Sequence, residues 1–254
     1  MASNTNIIKK AIIVLLTFVA MGCWLSTGPD QDGDDPITFD KADLTASWTA
    51  YNDCVNSASG NAANVTQINN TNTTGTLLKY SDGTPTSISV TMDSNNISPW
   101  NSSGTPDPGT DAHDTFTGIV NIDENASYDG NSDWHYQATF TGLDPAKRYA
   151  FIATANRNDV AYDGSGSSSR WTRFSISGAD TYTNVSSDGV VEISDDVVRM
   201  NTGYNTTNGY VVAWTNISAA DGSFTVRSEN VGASGPGEPN KSYGFQGFVL
   251  KELQ

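Results

Sequence analysis

The sequence predicts an all-β protein, a jelly-roll-like antiparallel two-sheet β-sandwich of about ten strands with few helices. The first observation is composition: only 16% of the residues are charged, and Asn, Ser, Thr and Gly are abundant. These residues compete with helical hydrogen bonding and favour turns. The second is that alternating apolar and polar residues recur in short runs, and the third is that Gly, Asn and Asp separate the runs. No long helical periodicity accompanies them.

Each alternating run is predicted as a strand. In chain order they are 76–80, 86–92, 115–121, 135–141, 148–155, 170–177, 189–193, 209–214, 223–228 and 244–250. The two faces separate most cleanly in 223–228, where Phe224 and Val226 alternate with Thr225 and Arg227. Segment 40–48 is the one stretch where a short helix competes with a strand.

A tyrosine corner is predicted at Leu143-Asp144-Pro145, four residues before Tyr149. In sandwiches with this arrangement, the Tyr hydroxyl forms a hydrogen bond with an upstream backbone group where the chain crosses between sheets. The segments on either side of the corner are therefore expected to lie in different sheets.

Several segments resemble galactose-binding-like and fibronectin type III-like modules of secreted bacterial proteins. The resemblance covers roughly 115–253 and rests on 138–145, 149–152, 173–179, 220–226 and 248–253. It implies a sandwich fold and the binding of carbohydrate or cell-surface components, often as an appendage to an enzyme. The shared motifs are sandwich motifs and carry no active site.

Residues 1–23 read as a signal peptide, because Lys9 and Lys10 precede an apolar run over 11–22. This run is shorter than the roughly 20 residues that span a bilayer. Gly22-Cys23 resembles a bacterial lipoprotein signal, which would lipidate Cys23; ordinary secretory cleavage and an uncleaved anchor are the alternatives. Residues 24–36 are expected to form an acidic tether and 37–254 a single sandwich domain. The chain is thus predicted to be exported to the cell envelope or beyond.

Charge and cysteine content limit the partners and the chemistry. Thirteen Lys and Arg stand against 28 Asp and Glu, a formal charge of −15, and the basic residues lie far apart in sequence. This argues against a nucleic-acid partner. Two cysteines cannot form a disulfide framework, and Cys54 is expected to be a small buried apolar residue, because a catalytic thiolate would need a His beside it.

The ligand site is predicted in the polar loop 156–163 and its Gly/Ser-rich continuation 164–169. Sugars are bound by aromatic faces and by side chains that bond paired hydroxyls. The expected ligand-binding residues are Trp100, Trp134, Asn156, Arg157, Asn158, Asp159, Tyr162 and Arg170. The alternative is that the neighbouring Trp171 belongs to the core and that the Gly/Ser tract is only a loop tip.

Structural calcium is the one cofactor considered. Its candidate ligands are Asp159, Asp163, Asp195 and Asp196, although turn formation explains these residues equally well. A zinc site would require folding to join His113 and His135. No catalytic motif is present, so no catalytic residue is predicted.

The predicted function is therefore a non-catalytic, exported β-sandwich that binds glycans or other cell-surface components, attached to the membrane through its N-terminal lipid or signal anchor. A structural envelope or adhesion protein is the first alternative. A polysaccharide lyase or hydrolase is the second.

Overall fold

A computed structural model describes residues 44–55, 60–100, 104–122, 125–128 and 133–254. The predicted signal peptide, Cys23 and the tether 24–36 lie outside the described residues. In chain order the strands are β1 (Ala46–Asp53), β2 (Thr66–Gln67), β3 (Thr74–Leu78), β4 (Pro85–Asn95), β5 (Ile97–Trp100), β6 (Asn125–Tyr128), β7 (His135–Thr141), β8 (Tyr149–Thr154), β9 (Trp171–Ser177), β10 (Thr181–Asn184), β11 (Val191–Ser194), β12 (Val197–Asn201), β13 (Val212–Ser218), β14 (Ser223–Asn230), β15 (Tyr243–Gly244) and β16 (Gly247–Leu253). The helical elements are α1 (Asp111–Phe116) and a 3-10 turn (Val160–Tyr162).

The strands form two large sheets and one small one. The six-stranded sheet has the order β10-β13-β8-β16-β1-β2, and the seven-stranded sheet has the order β11-β12-β9-β14-β7-β4-β3. Strands β15, β6 and β5 form the small third sheet. All pairs within the two large sheets are antiparallel except β1 with β2. The predicted all-β sandwich is confirmed, with more strands than the roughly ten expected because several are only two to five residues long.

One predicted strand is wrong. Residues 115–121 contain the end of α1 and the turn that follows it. The helix begins after Thr110, whose hydroxyl accepts a hydrogen bond from the backbone N–H of His113 at 3.4 Å. Ala112, Phe116 and Val120 are all buried, and their spacing of four residues fits one helical face better than an alternating strand.

For segment 40–48 the sequence allows either a short helix or a strand. The described part of this segment joins a strand. Strand β1 begins at Ala46 and pairs with β16 along its length. All described residues belong to the compact unit Pro36–Gln254. None of their helices has the length and apolar character needed to cross a bilayer.

The core between the large sheets is built around aromatic side chains. Phe140 of β7 stacks on Phe224 of β14 at 4.7 Å between ring centroids, and it meets Phe151 and Phe248 of the opposite sheet edge to face. All four are fully buried. Burial of each such side chain contributes about 1.5–3 kcal/mol, and this core stabilises the chain without a disulfide among the described residues.

The outer faces of the two large sheets differ. On the six-stranded sheet, Ala150, Ile152 and Val249 point outward and pack in a second apolar cluster with Phe116 and Val120. Helix α1 and the turn after it therefore cover this face. Most outward side chains of the seven-stranded sheet are polar and are exposed or half-buried, and Ile193 is an exposed apolar residue among them.

The predicted tyrosine corner is confirmed. The backbone N–H of Asp144 donates to the Tyr149 hydroxyl at 2.9 Å. Strand β7, which precedes the corner, lies in the seven-stranded sheet, and β8, which follows it, lies in the six-stranded sheet. The bond thus fixes the crossing between the sheets.

Replacing Tyr149 by Phe should lower the free energy of unfolding by about 1 kcal/mol, because the N–H of Asp144 loses its acceptor while the ring stays in place. Urea titration of the full chain measures the difference. The control is Tyr182→Phe, since the Tyr182 hydroxyl has no hydrogen bond within the described ranges; it should change stability by less than about 0.5 kcal/mol. Equal effects of the two variants would contradict a structural role for the corner.

Candidate functional site

Asn156, at the start of the predicted ligand loop, uses its amide to hold other loops together. Its Nδ2 donates to the carbonyl of Gly104 at 3.1 Å and to the Thr206 hydroxyl at 2.9 Å. Its Oδ1 accepts from the backbone N–H groups of Asn158 and Asn205. The residue is 1% exposed. All the hydrogen-bonding capacity of this amide is used within the protein, so none is left for a sugar.

Tyr162 and Arg170 are also joined to each other. The Arg170 guanidinium lies 4.5 Å from the centre of the Tyr162 ring and forms an ion pair with Glu238. Hydrogen bonds from Lys241 and then from Arg170 lower the pKa of Glu238, which keeps the pair ionised. With Arg170 buried, this arrangement fixes the loop against 231–242.

Of the remaining predicted ligand residues, Arg157, Asn158 and Asp159 follow Asn156 in the loop, whereas the two Trp residues belong to other segments. Asp159 caps the 3-10 turn by accepting from the N–H of Ala161, and the exposed Asn158 accepts from the Thr206 hydroxyl. Arg157 is half-buried, and its backbone N–H donates to the carbonyl of Thr202. Trp134 lies just before β7, outside any strand as expected, but it is fully buried and presents no face to a ligand. Trp100 is the last residue of β5.

The calcium candidates form hydrogen bonds in turns and loops. Asp163 accepts from the N–H of Gly164, and Asp196 accepts from the Ser194 hydroxyl in the β11–β12 hairpin. The Asp195 carbonyl accepts from the indole of Trp214. Within the described ranges, no three His, Cys, Asp or Glu side chains form a group that could hold a metal. Structural calcium at these residues remains a prediction.

The two histidines and Cys54 do not meet in a catalytic arrangement. His113 lies in α1, which covers the six-stranded sheet, whereas His135 lies on the open face of the seven-stranded sheet and contacts Asp93 at 3.0 Å. Burial raises the pKa of the Cys54 thiol well above its usual value. Cys54 is thus the neutral, buried residue that its sequence context predicts.

Replacing Asn156 by Ala should lower the free energy of unfolding by about 2 kcal/mol, because the buried N–H of Asn205 and the partly buried N–H of Asn158 lose their acceptor. Asn208→Ala is the matched control: Asn208 is exposed in the neighbouring loop, and no described residue bonds its side chain. Urea unfolding of the two variants measures the difference. An Asn156 variant as stable as the control would show that the loops are held by other contacts.

The open face of the seven-stranded sheet carries an ordered set of hydroxyl groups, which we call the hydroxyl platform. Two adjacent rows of Ser and Thr cross neighbouring strands in register. One row is Thr74, Thr91, Thr139, Thr225 and Ser177; the other is Thr76, Ser89, Thr141 and Ser223. Alternate residues of the same strands, such as Val90, Phe140 and Val226, are in the core, so the hydroxyls point outward.

Beside the platform lies a group of charged side chains, the arginine cluster, formed by Arg173, Arg199, Arg227 and Glu229. Glu229 forms ion pairs with Arg173 and Arg227. Burial opposes ionisation of Glu229, but the hydrogen bonds and charges of the two arginines outweigh it and lower the pKa. The basic residues are far apart in sequence, yet three of them share one face because β12, β9 and β14 are neighbours.

The platform and the cluster escaped the sequence prediction. A signal exists: Ser or Thr alternate with apolar residues in β3, β4, β7, β9 and β14. The alternation predicts that hydroxyls share one side of each strand. It does not predict which strands are neighbours, and only the strand order aligns them into rows.

Comparison of the chain with protein-family models, with curated proteins and with solved structures yields no match. The fold and the geometry of this face are therefore the basis for the function proposed below.

Because its folded pKa is lowered, ionised Glu229 adds stability that is present above the unfolded-state value of about 4.3 and is lost as pH falls through the folded value. The stability difference between the native chain and Glu229→Gln should therefore be largest near neutral pH and shrink under acid. Urea titrations of both chains from pH 7 to pH 3 measure this. A difference independent of pH would contradict an ionised, arginine-bound Glu229.

Proposed function

We propose that this chain is an exported, non-catalytic β-sandwich that binds glycans on the hydroxyl platform. The observation that carries the proposal is the register of the platform rows on an open sheet face. Neighbouring strands place hydroxyls about 4.8 Å apart, and alternate residues along a strand place them about 6.8 Å apart. A ligand with its own repeating hydroxyl groups can bond to several of these positions at once.

The chemistry of the platform suits a neutral polyhydroxylated ligand. Each Ser or Thr hydroxyl donates one hydrogen bond and accepts two, as a sugar hydroxyl does. The platform rows contain no charged side chain although the chain has a formal charge of −15. The charged side chains of this sheet face lie outside the two rows, in the arginine cluster and at His135 and Asp93.

The platform is preorganised for binding. Its side chains project from paired strands above a packed aromatic core, so little backbone ordering is required when a ligand binds. Strand β9 also places Trp171 on this face, at the end away from Ser177. Trp171 is half-buried, and its indole N–H donates to the carbonyl of Gly164 at 2.8 Å. It lies outside the core and offers an apolar surface for a sugar ring.

Export is supported by the sequence of residues 1–23, and attachment to the membrane by the Gly22-Cys23 junction. In this proposal the anchor holds the sandwich at the cell envelope, and the platform contacts cell-surface or environmental glycans.

A glycan array probed with the full chain, with and without calcium, tests the proposal. Replacing both Thr91 and Thr141 by Val should weaken binding to the best glycan by about tenfold, because two hydrogen bonds to the ligand are lost. Val has nearly the shape of Thr and favours strands, so the sheet itself should be unchanged. Both residues are exposed, and their hydroxyls bond to no described side chain or backbone group. Thr183→Val, in strand β10 of the other sheet, is the matched control and should bind as the native chain does.

Two outcomes would overturn the proposal. The first is the absence of binding to any glycan in either calcium condition. The second is equal affinity of the double variant and the native chain for every bound glycan. If the double variant instead changed the oligomeric state in sedimentation, the platform would be a contact between copies, as in the structural-protein alternative.

A further inference from the structure

The side chain of Arg199 has no hydrogen-bond or ion-pair partner that the structure describes. Its Nε is buried without a hydrogen bond, and no described residue forms an ion pair with its guanidinium. A buried donor without an acceptor costs about 1–3 kcal/mol, and more when it is charged. The other two arginines of the cluster differ, because both are bound to Glu229.

The surroundings of Arg199 are cationic. Arg199 lies directly opposite Arg173 in the β12–β9 pair. Like charges in this position repel each other. One carboxylate, Glu229, faces three guanidinium groups, so the arginine cluster carries a positive excess on a strongly acidic chain.

Arg173 and Arg199 also line a pocket of about 160 Å³, whose other walls are Ile193, Val231, Ser234 and Gly235. Pockets that enclose a drug-sized ligand measure about 300–1,000 Å³, so this one fits a small group and not a whole sugar chain. The guanidinium fork matches the planar carboxylate and the oxygens of a sulfate ester, with two parallel hydrogen bonds.

We infer that Arg199 and Arg173 form a binding site for the anionic substituent of an acidic glycan, a uronate carboxylate or a sulfate ester. This inference rests on the proposed function, because the glycan chain would lie on the hydroxyl platform. Both sites lie on the open face of the seven-stranded sheet: Ser177 of the platform is on the same side of β9 as Arg173. The anion would accept hydrogen bonds from the guanidinium groups that line the pocket and would reduce the repulsion between Arg199 and Arg173.

The test is calorimetric titration of the full chain in calcium-free buffer of low ionic strength. The probes are polygalacturonate with its methyl ester, and dextran sulfate with dextran, so that each acidic polymer has a neutral counterpart. We expect at least one acidic polymer to bind about tenfold more tightly than its counterpart, the ratio expected for charge-assisted hydrogen bonds. The polygalacturonate arm reports a carboxylate preference and the dextran sulfate arm a sulfate preference.

Arg199→Gln should abolish this preference, and Arg199→Lys should retain only part of it, because Lys keeps the charge and loses the fork. Removing Arg199 leaves no described partner unpaired and removes a cost to the fold, so neither variant should unfold at a lower urea concentration than the native chain. The matched control is Arg148→Gln, which removes an equal charge at an exposed position just before β8; it should keep the preference.

Failure of the inference is distinguishable from failure of the proposed function. Neutral and acidic polymers that bind equally, or a preference that survives Arg199→Gln, would overturn the inference and leave the platform proposal standing. If no polymer binds and the glycan array is also negative, the platform proposal fails, and titration with sodium galacturonate and sodium sulfate decides the anion site. A saturable shift of the Arg199 Nε–H resonance would then support the site, and an unchanged resonance would overturn it.

Discussion

The loops of this sandwich depend on hydrogen bonds from buried asparagine side chains. Asn205 donates to the carbonyls of Ala155 and Tyr210 and accepts from the N–H of Tyr210. Asn201 donates to the carbonyls of Tyr162 and Gly164 and accepts from the N–H groups of Gly203 and Tyr204. Each amide thus forms hydrogen bonds with backbone groups that have no partner in a neighbouring strand. The abundant asparagine that argues against a helical bundle thus also forms hydrogen bonds inside the protein.

The same constraint explains where a ligand can bind. Asn156 and Arg170 of the 156–170 loop are used in holding loops together, while the helix and turn after Thr110 cover the outer face of the six-stranded sheet. The seven-stranded sheet has neither kind of cover, and its outward side chains keep hydrogen-bonding capacity. Its two parts differ in charge, since the hydroxyl rows are neutral and the arginine cluster is positive. One face therefore offers both a neutral platform and an anion-binding group.

Sequence patterns predicted the fold class, most strands and the corner at Tyr149, because alternation and turn chemistry are local properties. The patterns failed at 115–121, where the predicted strand is a helix end and a turn with apolar residues at helical spacing. They also failed at Trp134, whose polar neighbours in the sequence do not indicate a buried side chain. The loop residues Asn156 and Asp159 have the composition of a sugar site, but composition cannot show whether an amide already has partners within the protein. The rows of the platform depend on strand order, which is set by contacts between distant segments.

Strand order also determines when the fold can be completed. Strand β16 contains the last strand residues of the chain, yet it lies in the middle of the six-stranded sheet, between β8 and β1. A chain emerging from the ribosome therefore cannot close this sheet until synthesis reaches Leu253, and the edges of β1 and β8 stay unpaired until then. Such late closure keeps the two halves of this sheet apart until the ribosome has synthesised β16.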